Sequence, residues 1–82
     1  MIFTAQIKVM PLKNLLDPQG KAVLGGLASL GITGISDVRI GKQIELYLEA
    51  ENEIIAREKA EDAAKKLLAN QVMEMYEIVI SS

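Results

Sequence analysis

Two dipeptides, Gly20-Lys21 and Gly41-Lys42, have the residue types that close a phosphate-binding loop, and two carboxylates, Glu45 and Glu49, share one face of an alternating run. Neither arrangement equips the chain for catalysis. A phosphate loop needs a further glycine at fixed spacing upstream and a hydroxyl residue after the lysine, whereas Ala22 and Gln43 follow here. Residues four apart on a strand stand about 13 Å from each other, too far for two carboxyls to share a proton. The sequence has no His, the side chain best suited to proton transfer near neutral pH. It also has no Cys, which removes thiolate nucleophiles, disulfides and zinc–thiolate sites together. Acid–base work would have to come from carboxylates, Lys or Tyr shifted by burial, and no cluster of them is visible.

The elements that position these corners follow from periodicity. Ile2 to Met10 alternates, with Phe3, Ala5, Ile7 and Val9 on one face and Thr4, Gln6 and Lys8 on the other, which predicts a half-buried strand ended by Pro11. Asp17-Pro18 is a helix start, with Asp as N-cap and Pro at the first helical position, and the helix should run from Pro18 to about Leu30. Val23, Leu27 and Leu30 form its apolar stripe; Gly31 suits the left-handed position that ends a helix, with Ile32 folding back onto Leu27. Gly25 and Gly26 in its middle are each up to ~1 kcal/mol worse than alanine, so they imply close approach or mere tolerance.

Ile35 to Ile40 reads as a second strand and Ile44 to Ala50 as a third, joined at Gly41 in a β-hairpin. A two-residue turn would pair Ile40 with Gln43 and mix apolar and acidic residues on one face. An odd loop or bulge would pair Ile40 with Ile44 and Val38 with Leu46, and that register is the expectation. Asn52 should cap a second helix with the stripe Ala56, Ala60, Ala63, Ala64, Leu67 and Leu68. Its wet side carries the pairs Glu53–Arg57, Glu61–Lys65 and Asp62–Lys66, and Ile54 and Ile55 lie off the stripe. Asn70 should take the left-handed conformation that stops this helix, and Val72 to Ile80 is the last strand.

That order, βαββαβ, implies an α+β, ferredoxin-like fold: a four-stranded antiparallel sheet with the first and third strands parallel at its centre and both helices on one face. Thr4, Gln6, Lys8, Glu45, Tyr47 and Glu49 would line the open face, where small sheets often self-associate into dimers or tetramers. With 82 residues the chain reads as one domain, 1–82, burying only roughly 60 to 65% of its unfolded surface. Nine basic against eleven acidic residues, net charge −2, argue against nucleic acid or an anionic membrane as partner. Only Phe3, Tyr47 and Tyr76 are aromatic, too few and badly placed for base stacking. No apolar run approaches the ~20 residues of a membrane span, and no secretory signal is apparent, so a cytoplasmic location is expected.

Leu16-Asp17-Pro18-Gln19-Gly20-Lys21-Ala22-Val23, then Asp37-Val38-Arg39-Ile40-Gly41-Lys42, Glu45-Leu46, and Lys66-Leu67-Leu68-Ala69-Asn70 with Tyr76 after it closely resemble the PurS subunits of phosphoribosylformylglycinamidine synthase. The resemblance spans the whole chain. Gln71, where the family usually has proline, and the Ile54-Ile55 pair, where acids are usual, depart from it. It implies a non-catalytic subunit of a three-part enzyme in the fourth step of purine biosynthesis. A glutaminase subunit releases ammonia there, a synthetase subunit uses ATP and magnesium, and the small subunit joins them and helps shield the ammonia route. No cofactor is expected in the small subunit itself. Partner contacts are expected at Asp17, Pro18, Gln19, Gly20 and Lys21 and at Arg39, Gly41 and Lys42, with Arg39 facing out from an edge strand. The alternative reading of the same strand order is a small-molecule regulatory module resembling the ACT domains. Such a module would need a ligand-accepting loop after the first strand, where Pro11-Leu12-Lys13-Asn14 offers no glycine.

Overall fold

The computed structural model describes residues 1–82 as three strands and two helices. Strand β1 spans Ile2–Pro11, helix α1 Pro18–Ser29, β2 Lys42–Glu49, helix α2 Glu53–Ala63 with a π-helical extension Ala64–Leu68, and β3 Glu74–Ser81. The sheet order is β2-β1-β3, with both neighbours antiparallel to β1. Alternation on β1 decides its faces: Ile7 lies opposite Ile44 and Ile78, and Ala5 opposite Leu46 and Ile80. Ala5, Ile7 and Val9 have no exposed surface and Phe3 is 5% exposed. Thr4, Gln6, Lys8, Glu45, Tyr47 and Glu49 fall on the opposite, open face, as their spacing requires.

Helix α2 covers the apolar face through small side chains. Ala56, Ala60 and Ala64 repeat every fourth residue and are fully buried, so the helix backbone lies close over β1 and β3 and barely reaches β2. Asn52 caps it, accepting from Ile55 N–H at 2.9 Å. Ile55 is half-buried against Phe3, Ala50 and Ala56, while Ile54 is exposed. The i,i+4 pairs form at Glu61–Lys65 (3.8 Å) and Asp62–Lys66 (3.1 Å). Arg57 instead donates to the Ile78 carbonyl at 3.2 Å.

Two expectations are corrected at the end of α2. The π-helical turn, closed by Ala69 N–H on the Ala64 carbonyl at 2.9 Å, shifts the phase of the stripe and puts Leu67 at 84% exposure. Asn70 is not left-handed, since only Gly31 and Gly34 have positive φ. Its side chain accepts from Val72 N–H at 3.0 Å, and Glu74 Oε1 accepts from Asn70 N–H at 2.8 Å, so side-chain bonds make the stop.

The larger corrections concern the middle of the chain. Residues 35–40 form no strand, and Ile40 and Val38 pair with neither Ile44 nor Leu46, so the sheet has three strands and no hairpin at Gly41. The chain leaves β1 at Pro11, runs out through α1 and returns as an extended segment, entering β2 opposite Val9. That return makes β1 and β2 antiparallel where parallel neighbours were expected. Helix α1 covers no part of the sheet; among its residues only Gly20 is buried. It ends as its sequence dictates: Gly31 has φ +80°, its N–H bonds the Ala28 carbonyl, and Ile32 N–H bonds the Leu27 carbonyl, each at 3.0 Å. Sheet and arm together measure 51 × 25 × 15 Å, with a radius of gyration of 16.2 Å. A compact chain of this length would have about 12 Å.

Candidate functional site

The two motif stretches, Leu16 to Val23 and Asp37 to Lys42, are separated by 13 residues of sequence and meet at the root of the arm. Asp17 starts the junction. Its backbone is extended, as an N-cap requires, and Oδ1 accepts from Gly20 N–H at 3.0 Å. Oδ2 accepts from Ile40 N–H at 2.8 Å, so one carboxylate closes the helix start and also pins the returning segment. These two N–H groups, Ile40's first and Gly20's second, hold the Asp17 carboxyl below its usual range, and the Arg39 charge adds to them.

Arg39 closes the same junction from the other side, its Nη2 donating to the Pro11 carbonyl. It is half-buried and sits on no edge strand, unlike the outward residue its alternation suggested. Both motif glycines stand where backbones touch. A Cβ on Gly20 would run into the Val38 carbonyl and come within 2.8 Å of Asp17 Oδ2; one on Gly41 would run into the Val9 carbonyl and Met10 Sδ. Gly41 therefore serves close approach rather than a hairpin turn. Lys21 and Asp37 form an exposed ion pair at 3.8 Å across the outside.

Of the eight candidate contacts, Asp17, Gly20, Arg39 and Gly41 thus hold the chain to itself. Pro18, Gln19, Lys21 and Lys42 are exposed around them. A shallow depression beside them is lined by Pro11, Leu15, Leu16, Ile40 and Met73, and Leu12 N–H bonds the Met73 carbonyl at 2.9 Å. Leu16 is 76% exposed and Val72 81% at this end of the sheet. Sequence reading missed these apolar loop residues; their signal was large apolar side chains placed between Pro11 and Asp17 and just after Asn70, outside any periodic element. On the open sheet face, Tyr47 donates to Glu45 Oε2 at 2.6 Å, and that bond, followed by the carboxylate's charge, raises the Tyr47 pKa above its usual value. The arrangement at the arm root fixes backbone geometry and presents a mixed apolar and basic rim, which suits docking.

Residues 4–82 match the family model of PurS, phosphoribosylformylglycinamidine (FGAM) synthase. The subunit PurS of that synthase from Synechocystis is 51% identical over 63 residues, 77% of this chain and 63% of the relative. The structure of Thermus thermophilus PurS overlays with a TM-score of 0.88 at 40% identity, over 100% of this chain and 98% of that one. A chain in the structure of PurLQS from Thermotoga maritima overlays with a TM-score of 0.91 at 33% identity, over 99% of each. Matched from residue 4 to residue 82, the chain belongs to the PurS family of phosphoribosylformylglycinamidine synthase.

Proposed function

We propose that this chain joins the glutaminase and synthetase subunits of phosphoribosylformylglycinamidine synthase and supports the passage of ammonia between them. Family membership makes it a subunit of that synthase, a ligase complex of purine biosynthesis. The observation that carries the joining role is the overlay, over 99% of both chains, with a chain of the PurLQS structure. The physical task fits the geometry at the arm root. Ammonia that meets bulk water is protonated and lost to the synthetase, so a connecting subunit must hold surfaces in register and exclude water. A junction fixed by Asp17, Arg39 and two close-packed glycines offers that rigidity.

In this reading ATP, magnesium and glutamine are handled by the partner subunits. The exposed Pro18, Gln19, Lys21 and Lys42, with Leu16 beside them, are the contacts offered to a partner. The complex works in the cytoplasm; no helix of this chain is long and apolar enough to cross a membrane. Reconstitution tests the proposal: the purified chain is mixed with the other two subunits, glutamine, ATP and magnesium, and amidine formation is followed with and without it. Glutamine-dependent turnover should require the chain, and an ammonium salt supplied directly should relieve much of that requirement. Equal glutamine-dependent rates in its absence would overturn the assignment.

A further inference from the structure

Given the joining role proposed above, on which this rests, we infer that the root of the arm is a two-part docking site for an acidic segment of a partner subunit. An apolar side chain of that segment enters the hollow lined by Pro11, Ile40 and Met73, and a carboxylate beside it is held by Arg39 with Lys13 and Lys21. The two hollows adjoin, because Leu15, Leu16 and Asp17 line both. The basic one lacks a free anion of its own. Asp17 and Asp37 also line it, yet both carboxylates are taken: Asp17 accepts from Gly20 and Ile40 N–H at 3.0 and 2.8 Å, and Asp37 accepts from Val38 N–H at 2.9 Å with Lys21 at 3.8 Å. Arg39 is half-buried and spends Nη2 on the Pro11 carbonyl, and neither it nor Lys13 has a carboxylate within ion-pair distance. A half-buried guanidinium with N–H groups to spare suits a planar acceptor that takes two of them, and a carboxylate is one.

The occupant is a protein segment because it fills both hollows at once, whereas a free anion would leave the apolar one in water. The basic hollow measures about 130 Å³, below the ~300 Å³ at which small-molecule sites begin, and so has room for a side-chain carboxylate. Next to it Leu16 is 76% exposed and Met73 54%, large apolar side chains that gain by being covered. Glu74, at the apolar hollow, does not repel an acidic visitor freely, since its Oε1 accepts from Asn70 N–H at 2.8 Å. The segment is acidic because charge is polarised along the chain. Residues 1–42 hold five basic and two acidic side chains, while residues 43–82 hold four and nine. Both motif stretches of the arm root belong to the positive part, which draws an acidic surface to this end during encounter.

Biolayer interferometry of the full chain against each purified partner subunit, in about 50 and about 300 mM sodium chloride, tests the site. At least one subunit should bind, with affinity falling about tenfold or more between the two salt concentrations. Lys13→Glu and Met73→Glu, both at exposed side chains, should each weaken binding about tenfold or more at low salt. Arg39→Lys keeps the charge, gives up the fork and should weaken binding as well; if it does not fold, the two surface variants carry the test. Lys65→Glu, the same charge reversal on the wet side of α2, should stay within about twofold. Binding indifferent to salt and to Lys13→Glu would overturn the docking site while leaving the joining role in place. So would equal losses in Lys13→Glu and Lys65→Glu, or release of the bound subunit by inorganic phosphate at constant ionic strength, which would give the hollow to a free anion. Absence of binding to either subunit would overturn the joining role and the docking site together.

Discussion

The sheet half and the arm half of this molecule obey the same local rules and end differently. In the sheet half, β1 finds a strand on each side and an alanine-lined helix above it, so its alternation is converted directly into burial. In the arm half, the helix is capped at both ends by bonds its sequence anticipates, yet none of its apolar side chains is fully buried. Capping decides where a helix starts and stops; only tertiary packing decides whether its stripe is covered. Asp17 and Arg39 mark the boundary between the two regimes, since they tie the arm's root to the end of β1.

The sharpest way to break this contrast is a matched pair of truncations. Ile7→Ala removes a fully buried side chain from the centre of the sheet and should cost about 2–5 kcal/mol in urea unfolding. Leu30→Ala removes a comparable side chain that is 77% exposed at the arm's end and should stay within about 0.5 kcal/mol. Equal losses would mean that the arm is packed against its own chain.

A smaller effect is expected at the boundary itself. Gly41→Ala forces a methyl group into the Val9 carbonyl and Met10 Sδ, and should cost about 1–3 kcal/mol by overpacking, with β2 entering the sheet less tightly. Gly25→Ala, in open space, should instead stabilise the helix by up to about 1 kcal/mol. If the Gly41 substitution were neutral in thermal unfolding, the close approach between Gly41 and Val9 would not be contributing to the fold.

The residues that sequence reading placed correctly are those governed by neighbours a few positions away. The period of β1, the Asp17-Pro18 start, the Gly31 stop and the Asn52 cap all belong to this kind. The strand expected at Ile35 to Ile40 depends on a long-range partner, and its own chain does not provide one; a hairpin at Gly41 was the nearest local explanation of the same pattern. Leu67 was misplaced because the stripe was read at the α-helical period throughout, and the π-helical turn that rotates it outward leaves no mark in that period. At the candidate site, the motif residues were located but their direction was not. Asp17, Gly20, Arg39 and Gly41 turn toward other parts of their own chain, and no pairing between residues 18 or more apart is written in local spacing.

The subtlest test of the boundary uses pH. Because the folded carboxyl of Asp17 titrates below its unfolded value of 3.8, the folded chain binds its proton less readily than the unfolded chain does. The stability this carboxylate supplies is therefore fully present above its unfolded pKa and is lost as pH falls through the lower, folded one. Asp17→Asn keeps an oxygen for Gly20 N–H as a cap but gives up the charge that serves Ile40 N–H and Arg39. The variant should unfold at a slightly lower temperature than the wild type near neutral pH, and the gap between them should close as the buffer is taken from pH 5 to pH 2. A gap that stays constant with pH would assign the Asp17 contribution to hydrogen-bond geometry alone and leave Arg39 bound to Pro11 without help from the carboxylate's charge.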